Sequence, residues 1–322
     1  MMNLRNRILI TLFALGTILG GCDSLIFDDL EDCPQGVYVK FYSMTPCDVD
    51  STFIGEVPSL TVFAFDENDK LATSVTQQKV TLSRDYELLV PVSEGNYSFV
   101  AWAGLNDNFT SGAFTPGVTT RKDVVLTLKS ANNIAANLGS TRVWHGESPV
   151  ISLPNPKENG SVYKHTAINL TELTNRVKVI VEIESSVKDI VPQDLAVSVG
   201  SANGTVHIDG SMPLKLPQLT YPLLHADYTD TSVAWNFALL DLVTGYHNNL
   251  AITYTKTGEK VFDGDLIASI LLNTVDGGIN LACENDFTVK FVMKDYCAEC
   301  GTHFSCAIYV NDWLVHSYST EL

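Results

Sequence analysis

Apolar residues recur at every second position through most of this chain. In "GVYVKFYSM", Val37, Val39 and Phe41 fall on one side and Tyr38, Lys40 and Tyr42 on the other. "YELLVPV" alternates Tyr86, Leu88 and Val90, and "DVVLTLK" alternates Val124, Leu126 and Leu128. "RVKVIVEIES" sets Val177, Val179, Val181 and Ile183 against Lys178, Glu182 and Glu184. A period of two is the geometry of an extended strand, whose successive side chains point to opposite faces. "SLTVFAFDENDK", "YSFVAWAGL", "DLAVSVG", "LAITYTKTGEKVFDG", "FTVKFVMKD" and "CAIYVNDWLVHSY" read as further strands. Turn residues separate them: 66–70, "EGN", "TKTGEK" and "VNDW". A helical period stands out only in "DLIASILLN", residues 265–273, with Asp265 as candidate N-cap. Short strands divided by turns predict an all-β chain built of one β-sandwich or two. The polar stretch "SLPNPKENGSVYKH", residues 152–165, precedes the strong strand at Arg176 and predicts a domain boundary. The two sandwiches are accordingly placed at 36–160 and 161–322.

The first residues break this pattern. "ILITLFALGTILGGCDS", residues 8–24, follows Arg5 and Arg7 and carries no charge until Asp23. The run is shorter than the roughly 20 apolar residues of a membrane span, and Gly20 and Gly21 interrupt its end. Positive charge, apolar core and small residues in that order make a secretory signal. Its close, Leu19-Gly20-Gly21-Cys22, resembles a bacterial lipobox, which implies thioether lipidation of Cys22 and cleavage before it. The rival is an ordinary signal peptide with a chance cysteine. Each buried lipid CH₂ contributes about 0.8 kcal/mol, and stable anchoring takes more than one chain. The expectation is a signal peptide at 1–21, a lipid on Cys22 and an acidic tether at 22–35, with no later segment long and apolar enough to span. Acids soon after the cysteine, Asp28 and Asp29 among them, resemble a surface-export signal of Bacteroidota lipoproteins, though they sit late for it.

Charge narrows the partners. The formal net charge is -17, and loss of Arg5 and Arg7 makes the chain still more acidic. Nucleic-acid phosphates would be repelled, as would anionic lipid headgroups. Of the seven cysteines, removal of Cys22 leaves Cys33, Cys47, Cys283, Cys297, Cys300 and Cys306. An even remainder outside the cytoplasm predicts disulfides. Closeness in sequence favours Cys33 with Cys47 and leaves the other four to pair among themselves. Zinc is the alternative: Cys297 and Cys300 form a CxxC, and Cys283 and Cys306 would complete a tetrahedral set.

No catalytic constellation emerges. His145, His165, His207, His225, His247, His303 and His316 are scattered, and no HExxH is present. "GESP" is not a GxSxG elbow, and "GSANGT" and "DGGIN" lack the strand-to-helix setting of a phosphate loop. Asp66, Glu67 and Asp69 could face calcium, but the EF-hand glycine and closing glutamate are missing; a hairpin turn is the simpler reading. Trp102, Trp144, Trp235 and Trp313 could line a sugar platform, although Trp102 lies in an alternating strand and reads as core. The expectation is no enzyme, no cofactor and no metal.

"DLEDCPQGVYVKFYSM", "VPSLTVFAFDENDKLATSV" and "YELLVPVSEGNYSFVAWAGL" together resemble the FimB-like fimbrial anchor and accessory subunit family of Bacteroidota, within the fimbrillin superfamily. Pro91, Gly95, Tyr97, Phe99, Ala101, Trp102 and Gly104 stand at matching places. "LTELTNRVKVIVEI", "TGEKVFDGDLIASILL" and "IYVNDWLVHSY" match more loosely, and the C-terminal cysteines lie outside the pattern. The resemblance implies two tandem transthyretin-like β-sandwiches and a lipoprotein of the outer membrane, exposed at the surface, that holds a fimbrial stalk subunit. The alternative is a surface lipoprotein adhesin that binds glycan or host protein without polymerising. A fimbrial joint suits a sheet edge, where main-chain hydrogen bonds supply affinity along a whole strand. The C-terminal segment alternates at Ile308 and Val310 and again at Trp313 and Val315, and lies at a chain end. It is the favoured joint, ahead of the first strand around Val37 to Phe41.

Overall fold

The computed structural model describes residues 33–213, 215–271 and 279–294, and the backbone of the strands Cys306–Val310 and Trp313–Tyr318. The expected signal peptide, Cys22 and most of the tether lie outside these residues, as do Cys297 and Cys300.

The chain is all-β, as its alternation predicts. The strands of the first half are β1 (Gly36–Tyr42), β2 (Gly55–Asp66), β3 (Leu71–Leu82), β4 (Glu87–Pro91), β5 (Gly95–Ala103), β6 (Phe109–Ser111), β7 (Val125–Leu128), β8 (Ser130–Ala131), β9 (Ile134–Ala135), β10 (Trp144–Glu147), β11 (Ile151–Leu153), β12 (Tyr163–Asn169) and β13 (Thr171–Glu172). A small sheet runs in the order β12-β1-β4, with β1 parallel to β12 and antiparallel to β4. A larger one runs β13-β10-β5-β2-β3, with β11 also on β5. They pack face to face. Val37, Val39 and Phe41 of β1 meet Leu60, Val62 and Ala64 of β2 and Phe99 and Ala101 of β5.

The intervening residues of β2 and β5 are buried as well. Phe63, Phe65, Val100 and Trp102 belong to a second core, which continues into the other half of the chain. A sheet covered on both faces needs continuous rather than alternating apolar sequence, and this is why "VFAF" and "FVAWA" read as unbroken runs.

The second half forms β14 (Thr174–Ile183), β15 (Leu195–Ser201), β16 (Thr205–His207), β17 (Leu219–Tyr221), β18 (His225–Tyr228), β19 (Ser232–Leu240), β20 (Asn248–Tyr254), β21 (Glu259–Asp265), β22 (Asp286–Met293), β23 (Cys306–Val310) and β24 (Trp313–Tyr318). One sheet runs β18-β19-β14-β22-β23-β24, the facing one β21-β20-β15-β17-β9-β8. Val177, Trp235, Phe237, Val289 and Phe291 of the first pack on Val199, Tyr221, Leu250 and Ile252 of the second. The hairpin at "TKTGEK" forms where the turn residues place it, and β23 pairs antiparallel with β24. Besides a single helical turn at Pro156–Asn159, the predicted helix forms as α1 (Leu266–Leu271), and Asp265 caps it: its Oδ1 accepts the Ala268 N–H at 2.6 Å.

The division expected at residues 160 and 161 is drawn elsewhere by the sheets. β12 lies beyond it yet pairs with β1 over seven residues, from Gly36↔Tyr163 to Tyr42↔Asn169. The chain leaves the first pair of sheets only at Leu173, between β13 and β14. "YKHTAIN" buries Ile168 alone, so its strand character comes from the parallel ladder and not from alternation. Traffic also runs the other way. β7 pairs with β16, and β9 pairs with β17, so the excursion after β5 is stitched into the second half.

The cysteine pairing differs from the expected one. Cys47 is bonded to Cys283, with Cα atoms 5.8 Å apart across a separation of 236 residues. Cys33 is disulfide-bonded too, but not to Cys47. Nearness in sequence failed as a guide because the loop after β1 folds against the turn that leads into β22. There Asn280 Nδ2 lies 3.8 Å from Cys47 Sγ. With its sulfur so engaged, Cys283 cannot complete a zinc set.

Candidate functional site

β22 is the template for the C-terminal end of the molecule. Its burial alternates strictly, with Phe287, Val289, Phe291 and Met293 inward. It runs parallel to β14 from Arg176↔Asp286 to Ile183↔Met293. Its start is pinned by Arg176, whose Nη1 donates to Glu172 Oε1 at 2.6 Å and whose Nη2 donates to Asp286 Oδ2 at 2.9 Å. These hydrogen bonds raise the guanidinium's pKa against the opposing effect of burial, and they hold the Asp286 carboxyl below its usual range. Arg176 therefore ties β13, β14 and β22 at one corner.

On the far side of β22 the ladder continues antiparallel. Val289 stands opposite Val310, Phe291 opposite Ile308 and Met293 opposite Cys306. β24 then pairs back on β23, with Val310↔Trp313, Tyr309↔Leu314, Ile308↔His316 and Cys306↔Tyr318. The register shifts between Ile308 and Tyr309, which leaves Val315 as the extra residue of a bulge. The structure thus brings Ile308, Val310, Trp313 and Val315 into one hairpin; their side chains lie outside the described residues. β24 is the last strand of its sheet, and among the described residues nothing pairs with its outer side. Such an edge presents a row of main-chain donors and acceptors.

The edge at β3 differs. β3 is long, but Gln77, Gln78 and Lys79 are exposed, and Lys79 adopts a left-handed backbone with φ 54°. The register there passes from Val57↔Val80 to Ser59↔Gln78 around Pro58. Proline, lysine and a local irregularity are the features that blunt an edge. β1, the rival joint, is no edge at all. It has ladders on both sides, and Val37, Val39 and Phe41 are at most 2% exposed.

The remaining candidates resolve into structural roles. Asp66 Oδ1 accepts the N–H groups of Asn68 and Lys70 at 2.9 and 2.8 Å, so the 66–70 carboxylates shape the hairpin turn between β2 and β3. Among the described residues no group of His, Cys, Asp or Glu is arranged to hold a metal. Trp102 and Trp235 are each 1% exposed and belong to the core, as expected for Trp102. One contributor escaped the sequence reading. His145 is half-buried on β10, with Nε2 2.6 Å from the Ile208 carbonyl oxygen of the second half. The separation of 63 residues leaves no local signal for it.

Residues 30–319 match the family described as fimbrillin-A associated anchor proteins Mfa1 and Mfa2. Over 320 residues the chain is 35% identical to the minor fimbrium anchoring subunit Mfa2 of Porphyromonas gingivalis, covering 98% of this chain and 97% of that one. The fold is similar to the solved structure of the fimbrial anchor protein Mfa2 from Porphyromonas gingivalis, with a TM-score of 0.79 and 34% identity over 89% of this chain and 100% of that one. A solved structure from Bacteroides thetaiotaomicron has a TM-score of 0.73 at 23% identity, covering 89% and 99%; at that identity the likeness concerns the fold alone.

Proposed function

The chain belongs to the family of fimbrillin-A associated anchor proteins, and on that premise we propose that it holds a fimbria at the cell surface as a lipoprotein of the outer membrane. Cys22 carries the lipid, the acidic segment after it is the tether, and a fimbrial stalk subunit is the partner. The joint is made at the C-terminal hairpin by strand addition or exchange. The observation that supports this most is the open outer ladder of β24, at the end of a sheet whose template strand is rigidly held. Main-chain pairing along such an edge gives affinity without a pocket.

Deletion of the gene tests the reading. Fimbriae should appear in the medium, and the intact chain should return them to the cells. The Cys22→Ala variant should take up no labelled palmitate and should leave the membrane fraction. Fimbriae that stay on deleted cells would overturn the proposal.

A further inference from the structure

The loop after β1, residues 43–54, is firmly held and yet apolar outward. Ser43 and Thr52 exchange backbone hydrogen bonds at 2.9 and 2.8 Å and close its base. Asn169 of β12 holds Met44 twice: its Nδ2 donates to the Met44 carbonyl oxygen at 2.8 Å, and its Oδ1 accepts the Met44 N–H at 2.9 Å. The Thr45 N–H donates to Asp48 Oδ2 at 2.7 Å, and the Asp48 N–H donates to the Thr45 carbonyl oxygen at 3.1 Å. The Cys47–Cys283 bond then fixes the loop to the turn before β22. Nevertheless Met44 is 37% exposed, Phe53 41% and Val49 91%.

Holding these three side chains in water buries no apolar area to offset the entropy lost in ordering the loop. A partner that covers them meets a surface already ordered, and binding then costs less. We propose that the loop is a second contact for the fimbrial stalk subunit, an apolar foot beside the strand edge of β24. The proposal rests on the anchor reading above.

Two placements select the stalk as the occupant. The tether enters β1 at Gly36, and the loop leaves it after Tyr42, about 20 Å further along the strand. The loop therefore lies at the end of β1 remote from the lipid. On its other side, Cys283 precedes Asp286, where β22 begins. β22 and β23 are antiparallel, with Val289 opposite Val310, so the start of β22 lies beside the passage from β23 into β24. β24 begins there at Trp313, two strands or about 10 Å across the sheet. A stalk subunit laid along β24 thus has one end on the side of the sheet where the disulfide fixes the loop. Main-chain pairing alone accepts any unpaired strand. Side-chain contacts at Val49, Phe53 and Met44 add the discrimination that a bare edge lacks.

The test is Val49→Asp in the full chain, with Val118→Asp as control. Val118 is also apolar and 72% exposed, but lies beside the start of β3. Side chains so exposed should leave the melting temperature unchanged when replaced, and Val49→Ser serves should the aspartate disturb folding. Cells with correctly localised Val49→Asp should shed fimbriae several-fold more than cells with Val118→Asp. In solution, the mature chain carrying Cys22→Ser should bind fimbriae sheared from wild-type cells about tenfold more tightly than the same chain with Val49→Asp. Equal shedding or equal binding by the two variants would overturn the proposal. So would a self-association of the purified chain that Val49→Asp abolishes while fimbriae are kept, which assigns the loop to a second copy. Fimbriae that stay on cells lacking the gene would remove the anchor reading and this proposal together, whereas release by deletion with full retention by Val49→Asp removes this proposal alone.

Discussion

Arg121 gathers the turn between β2 and β3, β5 and β10 around one guanidinium. Its Nη2 donates to Ser98 Oγ and to Glu147 Oε1 at 2.5 and 2.8 Å, its Nε lies 3.3 Å from Asp69 Oδ1, and the group stacks 5.0 Å over the Phe65 ring. Arg121→Ala should lower stability by about 1–3 kcal/mol in urea unfolding, and Arg121→Lys should restore little, because an ammonium cannot reproduce the planar fork. His145 behaves differently. Burial depresses its pKa, the Ile208 carbonyl, Glu147 and Asp209 pull it back up, and Arg121 pushes it down. A histidine whose folded pKa lies below its unfolded value near 6.5 contributes stability that is complete above about pH 6.5 and lost as pH falls through the folded pKa. Unfolding free energy should therefore fall as pH drops below about 6.5, and His145→Gln should flatten that slope. Neither role was legible in the sequence. Asp265 was, because an N-cap binds its own neighbours, whereas Arg121 and His145 act on residues far along the chain.

Among elements, alternation revealed strands but not their order in a sheet. β1 and β23 share the same period, yet one is central and the other lies one strand from an open edge. Neighbours that distinguish them are distant in sequence, and no local pattern encodes them. The cysteine pairing escaped for the same reason. β12 was missed because its polar residues face outward and a single isoleucine faces in. β19, "SVAWNFALL", was missed because its second half is buried on both sides and loses the period. The ladder also refines how the joint is to be probed. Val310 stands between Val289 and Trp313, so proline there would cut the sheet itself. Neighbouring residues of a strand direct their N–H groups to opposite sides. Of His316→Pro and Ser317→Pro on β24, one should therefore remove an outward donor. That variant should stay protease-resistant and lose fimbriae; full retention by both would remove β24 from the joint.

For the whole molecule, the exchange of strands between halves fixes the order in which the chain can become compact. Synthesis, and the export proposed above, deliver residues from the N-terminus onward. β1 waits for β12, and β7 and β9 wait for β16 and β17. Until residue 221 has emerged, Phe63, Phe65, Trp102 and Leu126 have no complete core to enter. Contacts between distant residues form slowly, so the newborn protein spends its first moments with apolar surface bare. A fragment of residues 36–172 should accordingly bind a hydrophobic dye and aggregate, where the whole mature chain unfolds in a single transition; a soluble, cooperatively melting fragment would contradict this. On the proposed export of this chain, the period of exposure is set by the time taken to deliver the stretch between β5 and β17.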